Sequence, residues 1–205
     1  MTPAKRLLDL GIAILLGVLL SPVILLLAII LALSEGRPVF YVAERMTSPT
    51  RGFGLIKFRT MRPQPDSGGV TGGDKSARMS GLHRFLRRTR ADELPQLWNV
   101  IRGDMSLVGP RPPLRRYVDD FPDLYAQVLR SRPGLTGLAS LVFHAHEERL
   151  LAACKTPAET DAVYRRRCVP RKARLDLIYQ QQRSGCSDLM LILRTAAKPF
   201  RRPTG

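Results

Sequence analysis

Cysteine is scarce in this chain: Cys154, Cys168 and Cys186 are odd in number, far apart and without a CxxC pair. That excludes a disulfide scaffold and a zinc site, and it argues for a reduced compartment. Acidic residues are thin as well, 17 Asp and Glu against 33 Lys and Arg, for a formal net charge of +16. Such a surplus does not choose a fold, but it chooses anionic partners: phosphates, nucleic acids or a membrane surface. His144 and His146 have no further ligand residues around them, so a metal site there is not expected even if both face one way on a strand. No internal repeat is visible, and 205 residues leave room for one modest core.

Aliphatic residues, by contrast, crowd the N-terminus. In the 24 positions from Leu10 to Leu33 the only other residues are Gly11, Gly17, Ser21 and Pro22, and Lys5, Arg6 and Asp9 precede them. The run is longer than the apolar part of a signal peptide and has no small-residue cleavage site, so it is expected to stay on the protein. A straight helix of that length measures about 36 Å, against about 30 Å of bilayer hydrocarbon, so one crossing is permitted. Two features favour a re-entrant hairpin instead. Ser21-Pro22 falls at the midpoint, where proline removes a donor and bends or breaks a helix, and the Ser21 hydroxyl is suited to satisfy the carbonyl that Pro22 frees. Both flanks are basic, with 31 Lys and Arg after the run, which draws both ends to the cytoplasmic side. On residues alone the two topologies stay open.

From residue 36 to 205 the chain reads as one membrane-associated domain of α+β type, mostly helical. Gly36 to Arg45 and Phe53 to Arg59 alternate like the arms of a β-hairpin. Pro63 to Gly81 has little periodicity and reads as a mobile loop. A helical pattern starts at Leu82, with Arg84, Arg87 and Arg88 on a neighbouring face. Pro95 should end one helix near Ala91 and begin another, leaving Asp92 and Glu93 at a helix N-terminus where N–H groups favour a phosphate. Further short helices are expected at Val118 to Leu129, His144 to Ala152, Ala158 to Cys168 and Leu189 to Ala196, some lying along the membrane surface. Trp98 suits the core or the membrane interface.

The densest chemistry lies between Arg88 and Pro112. An aspartate can attack phosphorus, and a neighbouring glutamate can hold the magnesium ion that neutralises a diphosphate. Arg111, between two prolines, offers a phosphate fork with little freedom to lose. An Asp-Glu pair opening a helix is also a common dipole complement, so these residues by themselves do not decide for catalysis.

Six segments together carry a resemblance: Lys5-Arg6 through Ser21-Pro22, Pro38-Val-Phe-Tyr41, Lys57-Phe-Arg-Thr-Met61, Asp92-Glu-Leu-Pro-Gln-Leu-Trp-Asn99, Gly103-Asp-Met-Ser-Leu-Val-Gly-Pro-Arg-Pro112 and Arg132-Pro-Gly-Leu-Thr-Gly-Leu138. In that order and spacing the chain resembles the bacterial sugar transferases, specifically the small monotopic phosphoglycosyl transferases. The resemblance implies a re-entrant helix over 1–35 broken at Ser21-Pro22, on the cytoplasmic face of a bacterial inner membrane. It implies Asp92 as nucleophile and Glu93 as Mg2+ ligand. Arg111, Lys57, Arg59 and Arg88 are then candidate phosphate ligands. The substrates implied are a nucleotide diphosphate sugar and polyprenol phosphate, with UDP and undecaprenyl as the expected members.

Larger relatives carry further transmembrane helices and a nucleotide-fold domain, so this chain reads as a minimal catalytic unit. The pattern departs after Tyr179, where Gln180-Gln-Gln-Arg-Ser-Gly-Cys186 replaces the expected tyrosine, asparagine and aromatic residue, which weakens any role for Asp176 or Asp188. Arg165-Arg-Arg167, Arg171, Lys172 and Arg174 follow a membrane segment and so are read as meeting anionic lipids or substrate phosphate rather than nucleic acid. A homodimer is left open.

Overall fold

The computed structural model describes residues 1–61 and 79–197. Most of the Pro63 to Gly81 loop expectation lies outside them. The described chain is mostly helical, with two small two-stranded sheets and one long apolar N-terminal helix.

That helix, α1, runs Pro3–Ser34, capped by the Thr2 hydroxyl, which accepts from Lys5 N at 3.3 Å. It is long and apolar enough to cross a membrane. The helix continues past Pro22 rather than ending there. The carbonyl that residue 22 would have bonded is that of Val18, and the Ser21 hydroxyl donates to it at 2.8 Å. One face of α1 packs: Ile12, Ala13, Leu16 and Leu20 meet Leu97, Val100 and Leu107, while Ile24, Leu27, Ala28 and Leu31 meet Phe58 and Leu86. The other faces leave Leu15, Val18, Leu19, Leu25, Leu26 and Leu33 exposed. Apolar surface of that extent calls for lipid rather than water.

Both ends of α1 are tied to the rest of the chain by polar contacts. At the start, Arg6 donates to Val100 O at 2.7 Å and Ile101 O at 2.8 Å, Lys5 pairs with Asp188 at 2.6 Å, and the Ser106 hydroxyl donates to Asp9 at 2.6 Å. At the end, Arg59 donates to the carbonyls of Glu35 and Gly36, each at 2.8 Å.

The expected hairpin forms from β1 (Phe40–Met46) and β2 (Gly52–Phe58), antiparallel, with Tyr41 opposite Lys57 and Arg45 opposite Phe53. Tyr41, Ala43, Arg45, Leu55 and Lys57 therefore share a face. Helix α2 (Gly81–Thr89) follows, its start capped by Ser80 and His83 in a capping box. Arg90 then takes a left-handed conformation, φ 58°, which turns the chain into a 3-10 helix at Ala91–Gln96 and on to α3 (Leu97–Arg102). Pro95 thus lies inside a 3-10 helix rather than at the start of an α-helix; within a first turn its missing N–H leaves no bond unmade. Fully buried Asn99 fastens α3 to the hairpin, accepting from Ile56 N at 3.0 Å and donating to Gly54 O at 2.8 Å.

Two strands too short to show alternation, β3 (Ser106–Val108) and β4 (Gly134–Thr136), pair in parallel. Their flanking glycines let the backbones touch. A Cβ on Gly109 would lie 2.2 Å from Arg132 O, and one on Gly137 2.1 Å from Gly109 O. Gly109 N donates to Thr136 O at 2.9 Å and Gly134 N to Pro110 O at 2.8 Å, so the backbone leading to Arg111 is held on a rail.

The remaining helices enclose a core around Tyr117, Tyr125, Val128, Phe143, Tyr164 and Val169. The single helix expected at Val118 to Leu129 is two, α4 (Arg115–Asp120) and α5 (Pro122–Val128), because Pro122 cannot continue the first and opens the second. α6 (Leu138–Ala152) starts before His144. His144 and His146 therefore lie on a helix and point about 200° apart, against Glu148 at 3.3 Å and Arg171 at 3.4 Å. α7 (Pro157–Val163) passes through a π-turn at Tyr164–Cys168 into α8 (Val169–Gln182), and α9 is Gly185–Ala197. Trp98 is 55% exposed and so belongs to the surface.

Candidate active site

The left-handed turn at Arg90 leads into the 3-10 helix that carries Asp92 and Glu93 and packs between β2 and α2. Asp92 is 7% exposed. Burial and the neighbouring Glu93 raise its carboxyl to about 6, against the lowering pull of Arg87, Lys57 and Arg111. These cations favour the ionised form, and loss of water outweighs them. Glu93 behaves oppositely. Arg111 donates to one of its oxygens at 2.7 Å and Arg90 to the other at 3.2 Å. Burial acts against ionisation, yet the two guanidiniums hold Glu93 down at about 2. Two adjacent carboxylates are thus driven apart by their surroundings, a pattern typical of acid, base and nucleophile assignments.

Lys57 reaches the same place from β2. Its ammonium lies 5.4 Å from the centre of the Tyr41 ring. Burial, together with Arg87 and Arg45, lowers it to about 8. Arg111 is carried in by the rail of Gly109 and Pro110, and Met46 N donates to Pro113 O at 3.0 Å, laying the Arg111-Pro112-Pro113 segment beside the end of β1.

The structure thus brings together Asp92, Glu93, Arg111 and Lys57, and separates the other candidates from them. Arg59 clamps the carbonyls of Glu35 and Gly36. Arg88 is exposed, and its neighbour Arg87 is the residue in electrostatic reach of Asp92. Asp176 is buried in α8, where desolvation raises it to about 7 and its Oδ1 has no hydrogen-bond partner. Asp188 bonds Lys5 and accepts from the Tyr179 hydroxyl at 2.6 Å, fixing α9 against α1. Arg87, Arg90 and Arg45 are the site residues that sequence reasoning did not single out. The first two sit within five residues of Asp92, so proximity in sequence was a usable signal; Arg45 offered none.

A profile of the bacterial sugar transferases matches residues 1–202. The chain belongs to that family. It is 36% identical over 196 residues to the UDP-glucose:undecaprenyl-phosphate glucose-1-phosphate transferase of Caulobacter vibrioides, a match covering 93% of this chain and 67% of that protein. It is 41% identical over 137 residues to the uncharacterized sugar transferase EpsL of Bacillus subtilis, 67% of each. A third match, 35% over 144 residues, is to the UDP-N-acetylgalactosamine-undecaprenyl-phosphate N-acetylgalactosaminephosphotransferase of Aeromonas hydrophila, of which it spans 34%. As a bacterial sugar transferase the chain has a buried carboxylate pair faced by five cations: Lys57, Arg87, Arg90 and Arg111 around the carboxylates, and Arg45 beside Lys57 and Arg111. Cations outnumber the carboxylates of the pair, and although Glu148 also acts on Arg87 and Glu147 on Arg111, the site stays positive and suited to a phosphorylated substrate.

Proposed function

We propose that this bacterial sugar transferase moves a sugar 1-phosphate from a nucleoside diphosphate sugar to a polyprenol phosphate through a covalent intermediate on Asp92. The single observation that carries the reading is Asp92 itself: a buried carboxylate beside a second carboxylate and within reach of Lys57, Arg87 and Arg111. An Asp92 oxygen attacks the phosphorus that bears the sugar, the bond to the nucleoside monophosphate breaks, and that nucleotide leaves. An oxygen of polyprenol phosphate then attacks the same phosphorus, the bond to Asp92 breaks, and the carboxylate is restored as polyprenol diphosphate sugar forms. In both displacements charge grows on phosphoryl oxygens, and the surrounding cations stabilise it in place. A carboxylate nucleophile needs no general base, only ionisation, which an acid at about 6 has largely reached at neutral pH. The named substrates of the Caulobacter and Aeromonas relatives support a UDP sugar and undecaprenyl phosphate.

Glu93 and Asp92 offer hard oxygen donors of the kind Mg2+ takes alongside substrate phosphates, and Glu93 is ionised. They would hold the ion, which would supply charge neutralisation at the diphosphate. For Glu93 to contribute, one of its oxygens would exchange an arginine for the metal.

We further infer a monotopic, re-entrant arrangement of α1 at the cytoplasmic face of the inner membrane. Arg6 holds the start of α1 to α3, and Arg59, beyond the end of β2, holds its end; α3 and β2 are joined by Asn99. One soluble body cannot lie on both sides of a bilayer. The exposed aliphatic faces between those anchors support insertion.

The test of the covalent step is incubation with labelled UDP sugar and no acceptor. One equivalent of uridine monophosphate is expected, with the label retained on protein and mapped to Asp92 by peptide mass spectrometry. A label elsewhere, or wild-type turnover by Asp92→Asn, would overturn the assignment.

A further inference from the structure

Arg45 has no role in the chemistry derived above, although it lies against that site. Its residue precedes Met46, whose N–H is bonded to Pro113 O at 3.0 Å, so β1 delivers it next to the Arg111 segment. It shares the inward face of the hairpin with Lys57. Its guanidinium is partly buried, and among the described residues its hydrogen-bond partner is the carbonyl of Glu44 at 3.1 Å, with no carboxylate paired to it. Arginine does not shed its charge in proteins, and a cation withdrawn from water without a counter-ion is costly. Lys57 is in no ion pair among the described residues: its contact is the Tyr41 ring, and the charge of Asp92, which it feels, is shared with Arg87 and Arg111. By contrast Arg90 and Arg111 are taken up by Glu93. Arg45 without a paired carboxylate, and Lys57 sharing Asp92 with other cations, thus leave positive charge on one face of the hairpin beside the Arg111 segment.

We propose that Arg45, together with Lys57, binds a phosphate group of a substrate, as the anion site next to the phosphorus that Asp92 attacks. The ligand chemistry is a phosphate ester, and two sources offer it: the nucleotide's own phosphate in the first displacement and polyprenol phosphate in the second. The inference rests on the transferase reading for its substrates, but the presence of an anion site does not depend on a covalent step. Arg45 is a binding residue here, since the reacting bonds are made and broken at Asp92.

The test uses the full chain in lipid nanodiscs and inorganic pyrophosphate as probe, with binding measured by calorimetry. Arg45→Gln should weaken pyrophosphate binding roughly 10- to 100-fold, the usual worth of a charged hydrogen bond. Arg45→Lys keeps the charge but loses the fork and should fall between the two. The half-reactions then separate the sources. A raised KM for UDP sugar in the release of uridine monophosphate assigns the site to the donor; a raised KM for polyprenol phosphate in discharge of the adduct assigns it to the acceptor; both assign it to each in turn. If wild-type protein does not bind pyrophosphate, or if Arg45→Gln and Arg45→Lys match it in affinity and in both KM values, Arg45 is not a phosphate ligand. Failure of the transferase reading would show differently, as absence of nucleotide release by wild-type protein whatever the pyrophosphate result.

Discussion

Asp92→Asn should make the protein more stable at neutral pH while abolishing its chemistry. Burial and Glu93 raise this carboxyl from 3.8 to about 6, so the folded state binds the Asp92 proton more tightly than the unfolded chain does. Folding is therefore favoured by protonation, and the stability that the proton confers is lost as pH rises from about 4 to about 6. At pH 8 the loss is complete and amounts to about 3 kcal/mol, at ~1.36 kcal/mol for each tenfold change in proton affinity. Asparagine is nearly the same size and carries no charge, so it removes that penalty. For a domain of this length, 1 kcal/mol moves the midpoint by about 2–4 °C, giving an upper limit of roughly 6–12 °C. The pH dependence is the diagnostic part. At pH 5 the difference should shrink to about half, because folded Asp92 is then mostly protonated while the unfolded residue is not. Thermal or chemical denaturation of both proteins in nanodiscs at pH 5 and 8 measures it. Equal stability at both values, or a variant that is less stable at pH 8, would refute the account of Asp92 as a carboxylate held against its own preference.

How much of this was legible beforehand depends on whether a feature is local. The apolar N-terminal run and the hairpin announce themselves by composition and alternation, and both are found where they were expected. The Asp92-Glu93 pair and Arg111 were legible as residue types, and the structure brings them together. Direction was not legible. Arg87 and Arg88 are adjacent on α2, and about 100° of rotation decides which one faces Asp92. Arg59 is two positions from Lys57 and would share its face on a continuing strand, but β2 ends at Phe58 and Arg59 ends on the carbonyls of Glu35 and Gly36. α8 was missed because its basic residues obscure an apolar stripe; Lys172 is buried there with both oxygens of Glu147 and the Tyr164 hydroxyl about 3 Å from it. β3 and β4 span three residues each, below the length at which alternation can be seen. Their glycines make sense only once two backbones are known to touch.

Two other expectations follow from the same contacts. Transfer should require Mg2+ and stop on chelation, and Glu93→Gln should lower the rate severely with the protein still folded in membranes, since Gln keeps the size and one acceptor, enough for one of Arg90 and Arg111, but loses the charge; full activity in excess EDTA would rule out a metal at Glu93. The second concerns topology. Thr2→Cys should resist a membrane-impermeant thiol reagent in intact spheroplasts and react once the cells are opened. Arg6 caps the C-terminal carbonyls of α3 at 2.7 and 2.8 Å while Arg59 holds the other end of α1, so a crossing would have to break one of these sets. Arg6→Ala removes the first set, and Pro22→Ala restores the backbone donor to Val18 O that the proline lacks. Combining them should therefore let a fraction of chains cross and expose Thr2→Cys to the reagent, whereas labelling of Thr2→Cys with Arg6 and Pro22 unchanged would mean that α1 spans the membrane despite its two anchors.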